Sequence, residues 1–453
     1  MKIIVCGCGK IGKSILESLV RERHRILVLD TDRELLDSIS ESYDVMTLCG
    51  SGVSCETLRR AGAGSAELFI AATGSDEVNM LSCIMAGRMG AEHTVARISD
   101  REHSTKNADF LKRELGISML INPELLTAQT VRNYLSFPSA VKSESFARRR
   151  FEMVELCVRQ DSILNGAVLS FLRSRLGVPF LVCCVLRQGR AYIPKGDFTL
   201  TEGDRIGLLA APEDMHTVLR FIGILGKRSR NVMILGGSRT AQYLAGEISK
   251  GGGSLKIIER DRHRCDALCS ELPGSVSVIC GDGSRNALLS EEGLEHCDAF
   301  IALTGEDEEN LLSSYYALDR GVPKIITKVS EDGFAEIGEK LGLDCVVSPR
   351  RITADAVTQY ARALGDTRGS RIETLYSLMD GSIEALEFTV TQELRQTGVQ
   401  IKDMKIKQGV LLAGIIRGSG TLIPTGSDVL LPGDRVIVIA AEGRPCELSD
   451  VLL

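Results

Sequence analysis

Residues 3–7 read IIVCG, an unbroken apolar run closed by glycine, and the next stretch spaces Ile11, Ile15 and Leu19 four residues apart. A short run that is apolar at every position fits a strand buried on both faces, and a spacing of four fits one face of a helix. The alternation continues, with strands expected near 2–7, 25–30, 44–49, 67–73, 93–99 and 117–122 and helical stretches between them. Strands separated by helices are joined by crossovers, which makes the sheet mainly parallel. Six such strands with a glycine loop after the first predict a Rossmann-type unit.

The whole pattern is then written again. "MKIIVCGCGKIGKSILESLV" is answered by "RNVMILGGSRTAQYLAGEIS", and "LFIAATGSDEVNML" by "AFIALTGEDEENLL", at an offset near 230 residues. A repeat of this length duplicates a whole domain. The stretch after each unit repeats as well: both contain I-P-x-G and then G-D-R-[IV], with turn residues separating short β-branched runs. These predict small β-rich α/β modules of about 75 residues. The expected architecture is α/β: two tandem Rossmann-type doubly wound parallel-sheet domains, each followed by a small α/β lobe. The expected bounds are 1–135 and 136–225 in the first half, 230–362 and 363–453 in the second. Connections are expected at 134–145, including Pro138, at 226–230 between the halves, and at 363–371.

Composition narrows the function. A net charge of −6 gives no general attraction to nucleic acid or anionic lipid. The basic run Arg148–Arg150 reads as a solvated linker. No apolar stretch reaches the roughly 18–20 residues that span a bilayer, and Lys2 leads directly into strand pattern, so a cytoplasmic protein is expected. The 14 cysteines hold no C-x-x-C pair, and Cys6, Cys49, Cys183, Cys184 and Cys280 on apolar stretches read as buried reduced thiols.

Gly7, Gly9 and Gly12 in "GCGKIG" have the spacing of a dinucleotide loop: the first permits a tight turn, the second lets backbone approach a pyrophosphate, and the third packs helix on strand. Cys8, Lys10 and Ile11 complete the loop, and the helix from Lys10 offers free N–H groups and a positive dipole end. Asp30, 23 residues after Gly7, can accept from both ribose hydroxyls; with Asp32 across Thr31 it would repel a 2′-phosphate, which favours NAD(H) over NADP(H). An adenosine ribose satisfies the same carboxylate, so ATP and ADP stay open. Thr73 and Gly74 fall at the carboxyl edge of strand four, and Arg97 at that of strand five, with donors suited to phosphate or to a salt bridge. Ser75, Asp76 and Glu77 suit either a helix cap or a ligand.

The second loop, "GGSRTA", keeps Gly236 and Gly237 but has Ser238 and Ala241 where the first has Gly9 and Gly12. Glu259 replaces Asp30, Asp282 stands where the first copy has Ser51, and Lys328 where it has Arg97. A mononucleotide, a weaker dinucleotide site and an empty site all fit. A dehydrogenase needs a substrate domain and a placed acid or base; this chain spends that length on a second Rossmann unit, and its six histidines form no catalytic pairing with an acid near a glycine loop. A binding protein fits better than the alternative, a nicotinamide-dependent oxidoreductase. The acidic balance and the lack of a helix-turn-helix pattern weigh against a redox-sensing repressor.

With "VCGCGKIG", "LDTD", "ATGSDEVN", "ARIS", "INPE", "IPKGD" and "EGDRI" the chain resembles the regulator-of-potassium-conductance domain family, and two such domains in tandem resemble the cytosolic nucleotide-binding subunits of Trk potassium uptake systems over the whole length. The resemblance implies binding of NAD (NADH), ATP or ADP at Gly7, Gly9, Gly12, Asp30, Thr73 and Arg97, with Ser51 lacking the carboxylate that family loops often carry there, and a second site around Glu259, Asp282 and Lys328. It also implies a homo-oligomeric ring, a tetramer of tandem domains, docked on an integral-membrane potassium-translocating partner at the inner face of the membrane. It implies no catalytic residue, no metal and no nucleic acid.

Overall fold

A computed structural model of the chain describes all residues except 23, 106, 137–141, 147–149, 224–228, 251, 344, 366–371, 380–381, 419, 442–446 and 453. Pro138, most of the basic run and parts of the three expected connections lie outside the described residues.

The first half opens with β1 (Lys2–Cys6), α1 (Lys10–Val20), β2 (Arg25–Asp30), α2 (Arg33–Ser42), β3 (Met46–Cys49) and α3 (Cys55–Ala61). It continues through β4 (Leu68–Ala71), α4 (Asp76–Met89), β5 (His93–Arg97), α5 (Arg101–Ser104), α6 (Ala108–Leu115) and β6 (Met119–Ile121). Among the described residues the strands form one parallel sheet in the order β3-β2-β1-β4-β5-β6. The order reverses between β1 and β4, and at such a switch point loops diverge and leave a crevice. Ile3, Ile4 and Val5 are fully buried, as expected of a strand covered on both faces. Ile15 and Leu19 bury the inner stripe of α1.

α7 (Pro123–Ser136) then leads to β7 (Lys142–Phe146), β8 (Phe151–Cys157), α8 (Leu169–Leu176), β9 (Phe180–Arg187), β10 (Arg190–Tyr192), β11 (Arg205–Ala210) and α9 (Pro212–Phe221). The β-elements form an antiparallel sheet, β10-β9-β11-β8-β7.

The second half repeats this. β12 (Asn231–Leu235), α10 (Arg239–Lys250), β13 (Ser254–Glu259), α11 (Arg262–Glu271), β14 (Val276–Cys280) and α12 (Asn286–Glu291) come first. β15 (Ala299–Ala302), α13 (Asp307–Asp319), β16 (Ile325–Lys328), α14 (Asp332–Lys340), β17 (Val346–Val347) and α15 (Pro349–Gly365) follow. The sheet order is again β14-β13-β12-β15-β16-β17. β18 (Ile372–Leu378), β19 (Ile383–Thr389), β20 (Val410–Arg417), β21 (Gly420–Leu422) and β22 (Arg435–Ala440) form the second antiparallel sheet, β18-β19-β22-β20-β21.

The repeated G-D-R motifs brace these lobes. Asp204, almost fully buried, receives Arg187 through Nε and Nη2, both at 2.7 Å, and the Thr201 N–H at 2.8 Å. Asp434 receives Arg417 at 2.9 and 2.7 Å and the Leu431 N–H at 2.8 Å in the same way. The next residue reaches a second buried acid in each lobe: Arg205 pairs with Glu155 and Arg435 with Glu387. The sheets of the two lobes share one core, in which Phe146, Phe151 and Leu209 meet Leu378, Ile437 and Ile439.

The Rossmann units exchange helices. Val131, Tyr134 and Leu135 of α7 are buried with Leu244 of α10 in the core of the second unit. Val357 and Ala361 of α15 are buried with Ile15 and Leu19 of α1 in the core of the first. Burial of each large apolar side chain stabilises this arrangement by about 1.5–3 kcal/mol, so the units hold each other through the helices that leave them. Among the described residues no helix is long and apolar enough to cross a membrane.

Candidate nucleotide-binding cavities

The exchange brings the two halves to the walls of one cavity of about 1070 Å³. Gly7, Gly9, Lys10 and Ile11 line one side of it, with Asp30, Thr31, Asp32, Ser51, Thr73, Gly74 and Arg97 around them. Gly7 and Gly12 make the tight turn and the helix–strand packing that their spacing suggests. Gly7 has φ +86°, and a Cβ there would lie 2.7 Å from Thr73 Cγ2. A Cβ on Gly9 would touch nothing within 4 Å, so its open face is cavity. On Gly12 it would lie 2.0 Å from the Gly7 carbonyl oxygen, so α1 can approach β1 only without a side chain there.

Cys8 and Gly12 stand behind the wall and are not exposed to the cavity. The Cys8 N–H donates to Asp30 Oδ2 at 2.6 Å, and the Asp32 N–H to Oδ1 at 3.0 Å, so the loop and the turn after β2 fix the carboxylate from both sides. Burial, with Asp30 close by, pushes the Cys8 thiol up to about 12, so it is neutral at physiological pH. Asp32 caps α2 through the Leu35 N–H at 3.1 Å. Thr73 is held by Asn79, whose Oδ1 accepts its N–H at 2.8 Å and its hydroxyl at 2.7 Å, while Asn79 Nδ2 reaches the Arg97 carbonyl at 3.0 Å. Ser75 caps α4 by accepting the Val78 N–H at 3.2 Å, and Asp76 accepts the N–H groups of Ser99 and Asp100; both acts are structural.

Ser238, Arg239, Thr240, Lys328, Ser330, Pro349 and Arg350 of the second half complete the cavity, with Pro123 and Glu124 at the start of α7. Sequence reasoning assigned Lys328 to a second site, noted Ser238 only as the replacement for Gly9 in the second loop, and gave the others no role. Lys328 instead faces the first cavity. Burial lowers its pKa, and the carboxylates of Asp307, Glu124 and Glu306 partly offset that. The signal for the rest lay in the repeat, because Arg239 occupies in α10 the place of Lys10 in α1.

Among the described residues four helices, α1, α7, α10 and α15, have their first residue on the wall of this cavity, and the N-caps of α2 and α4, Asp32 and Ser75, lie on it too. Each N-terminus carries free N–H groups and about half a positive charge. Lys10, Arg97, Arg239, Lys328 and Arg350 add full charges. Arg97 Nη1 donates to the Thr73 carbonyl at 3.2 Å, while its buried Nε and the buried Oε2 of Glu124 have no hydrogen-bond partner among the described residues. An adenine nucleotide fits this donor set: Asp30 for a ribose, the Gly9 opening for a pyrophosphate, the cations beyond for further phosphate.

A second cavity of about 370 Å³ is lined by Gly236, Gly237, Ser238, Glu259, Arg260, Asp261, Arg264, Gly281 and Thr304, among others. Glu259 is held as Asp30 is, by the N–H groups of Gly237 at 2.7 Å and Asp261 at 2.8 Å. Asp282 does not line it; its carboxylate takes the Ser284 hydroxyl at 2.7 Å and faces Arg285 at 3.4 Å. Cys49 and Cys280 are exposed, contrary to the reading of buried thiols, because each ends an edge strand; Cys6, Cys183 and Cys184 are buried.

Duplicated Rossmann units that exchange helices around a shared cavity, each followed by an antiparallel lobe, define a tandem protein of nucleotide-binding class. The TrkA-N domain model matches residues 3–123 and 232–349, and the TrkA-C domain model matches 386–444; the chain belongs to the TrkA family. It is 32% identical over 441 residues to the Trk system potassium uptake protein TrkA homolog of Archaeoglobus fulgidus, covering 97% of each chain. In fold it is similar to the GsuK channel bound to NAD, with TM-score 0.63 and 17% identity, covering 97% of this chain and 76% of that one. It is also similar to GsuK bound to ADP, with TM-score 0.50 and 13% identity, covering 79% and 68%.

Proposed function

We propose that this chain is a nucleotide-responsive regulatory subunit that controls a membrane potassium-translocating partner of the Trk type and has no catalytic role of its own. The observation that carries the reading is the first cavity, in which one ligand would touch both halves at once. A ligand shifts a conformational equilibrium only by binding one state better than another. Here the two walls belong to different units, so a nucleotide bridging Gly9 to Arg239 would favour the angle between them at which both reach it. α7 and α15 start at the cavity and lead into the two antiparallel lobes, which gives such a change a route outward.

NAD(H) and the adenine nucleotides ATP and ADP share the ribose and pyrophosphate that Asp30 and the glycine loop suit. The names of the curated relative and of the GsuK structures, a potassium uptake protein and a channel bound to NAD or ADP, support the same reading. Assembly into a ring of chains at the inner face of the membrane is supported by an uncovered apolar stripe. Leu312, Tyr315 and Leu318 on α13 and Ile337 on α14 are exposed, as suits a face for a second copy.

The test is potassium flux through the reconstituted complex with NADH, ATP, ADP or no nucleotide. Flux should change with nucleotide and lose that change in Asp30→Ala. Equal flux under all four conditions would sink the proposal.

A further inference from the structure

The second half carries a thiol cluster that the nucleotide reading does not use. Cys265 lies in the first turn of α11, buried, and its Sγ donates to the Glu259 carbonyl oxygen at 3.3 Å. Glu259 ends β13 and is the register partner of Cys280, which ends β14. That pairing puts both cysteines at the same piece of backbone: the Glu259 carbonyl that takes the Cys265 thiol also accepts the N–H of Gly281, the residue after Cys280, at 2.9 Å. Cys280 is exposed, as is Cys269 one turn further along α11.

The duplication supplies an internal control. In the first half Asp30 and Cys49 form the equivalent register pair, and Leu36 occupies the place of Cys265. Cys49 therefore has no thiol facing it from α2. Cys183 and Cys184 also lie close, with sulfurs 3.9 Å apart, but both are wholly buried between the antiparallel lobes, beyond reach of an oxidant. Cys265 and Cys280 flank the same Glu259 carbonyl, and Cys280 has an open face.

We propose that Cys265 and Cys280 are a thiol–disulfide modification site that ties α11 to β14 across the wall of the second cavity. The oxidant class is a small disulfide such as glutathione disulfide. The exposed Cys280, as thiolate, attacks it, forms a mixed disulfide and releases one small thiolate, which takes up a proton. Cys265 loses its proton to solvent and attacks the Cys280 sulfur, expelling the second small thiolate. Two protein thiols are oxidised, and one small disulfide is reduced to two thiols. Burial, and next the contact with Cys280, push the Cys265 thiol up to about 12. Closure is thus slow at neutral pH and quickens as pH rises toward that value.

The bond removes the proton by which Cys265 holds the Glu259 carbonyl. It also pins the first turn of α11 against Gly281, and Glu259, Arg260, Asp261, Arg264 and Gly281 all line the cavity. Resting on the nucleotide reading above, closure lowers affinity for ADP there about tenfold.

The experiment treats the full chain with glutathione disulfide and maps peptides without reduction. A Cys265–Cys280 link that dithiothreitol reverses, absent in Cys265→Ser and retained in Cys269→Ser, is the expected result. A mixed disulfide left on Cys280, or a Cys269–Cys280 link in its place, would overturn the proposal. Serine at 265 keeps a donor for the Glu259 carbonyl, so the variant should fold. ADP binding is then titrated in an Asp30→Ala background, reduced and oxidised. Unchanged affinity after closure overturns the regulatory consequence. No ADP binding even when reduced removes the nucleotide reading of this cavity and leaves the mapped disulfide as its own support.

Discussion

Arg362 of α15 donates from Nε to Glu22 Oε2 at 2.8 Å, across 340 positions of sequence, and its Nη2 also reaches Glu384 of the second antiparallel sheet at 3.2 Å. The pair is only 13% and 12% exposed. It sits where α1 and α15, which both start at the first cavity, come to their ends. Removing the guanidinium leaves two acids without it in a low-dielectric site. Arg362→Met should therefore lower stability by about 3 kcal/mol, as for other mostly buried pairs. Urea unfolding followed by circular dichroism would read it, and an unchanged midpoint would refute the clamp.

Two neighbouring glycines should behave differently. Gly7→Ala puts a Cβ 2.7 Å from Thr73 at φ +86°, and should cost about 2 kcal/mol or more. Gly9→Ala meets nothing within 4 Å and should stay within about 0.5 kcal/mol of the parent. Its methyl enters the cavity, so NADH and ADP should bind at least tenfold more weakly, about 1.4 kcal/mol. Paired thermal denaturation and calorimetric titration separate the two effects, and full affinity in Gly9→Ala would count against a pyrophosphate at that spot.

Lys328 gives a pH signature. Its folded pKa lies below the usual 10.5, with burial the main cause. Between the folded value and 10.5 the unfolded chain binds more protons, so stability should rise with pH across that window. The charge should also fade there, and with it the attraction for phosphate. Lys328→Met should flatten both trends. Stability and ADP affinity measured across alkaline pH check this; a variant that kept the parent's slopes would show that another group titrates.

Asp204 acts at the other end of the scale. Burial alone would raise its carboxyl, but Arg187 and the Thr201 N–H outweigh that and hold it below the ordinary value near 3.8. Its stabilising share is complete above that value and is lost as pH falls through the lower folded one. Asp204→Asn should remove that acid-labile share and cost about 2–4 kcal/mol at neutral pH, because Arg187 loses its partner. An acid titration of the parent and the variant that superimposed would contradict it.

The strands, the duplication, the turn at Gly7 and the packing at Gly12 were legible because each is a local matter of spacing and period. The expected strand near 67–73 is β4 at Leu68–Ala71, and the helix expected from Lys10 starts there. The walls of the first cavity were not legible. α7 shows an apolar face, but no periodicity says that Val131 and Tyr134 meet Leu244 of the other unit. Lys328 was read by analogy with Arg97 as serving its own half, whereas both line the one cavity that the halves share. Cys280 looked buried because a strand at the sheet edge has the same apolar letters as a central one.

The second loop, in which Ser238 and Ala241 replace two glycines, bears on how such a molecule can change. In a dimer of identical chains every substitution strikes both sites together, so a loop cannot change to serve its neighbour's site without changing its own. Joining the two copies in one chain releases that restriction. Arg239 can then be selected for what it offers across the seam while Gly9 is kept for what it leaves open. On the function proposed above, the repeat thus gains an asymmetry, Gly9 leaving room on one wall and Arg239 offering charge from the other, which identical chains related by an exact twofold axis cannot reach.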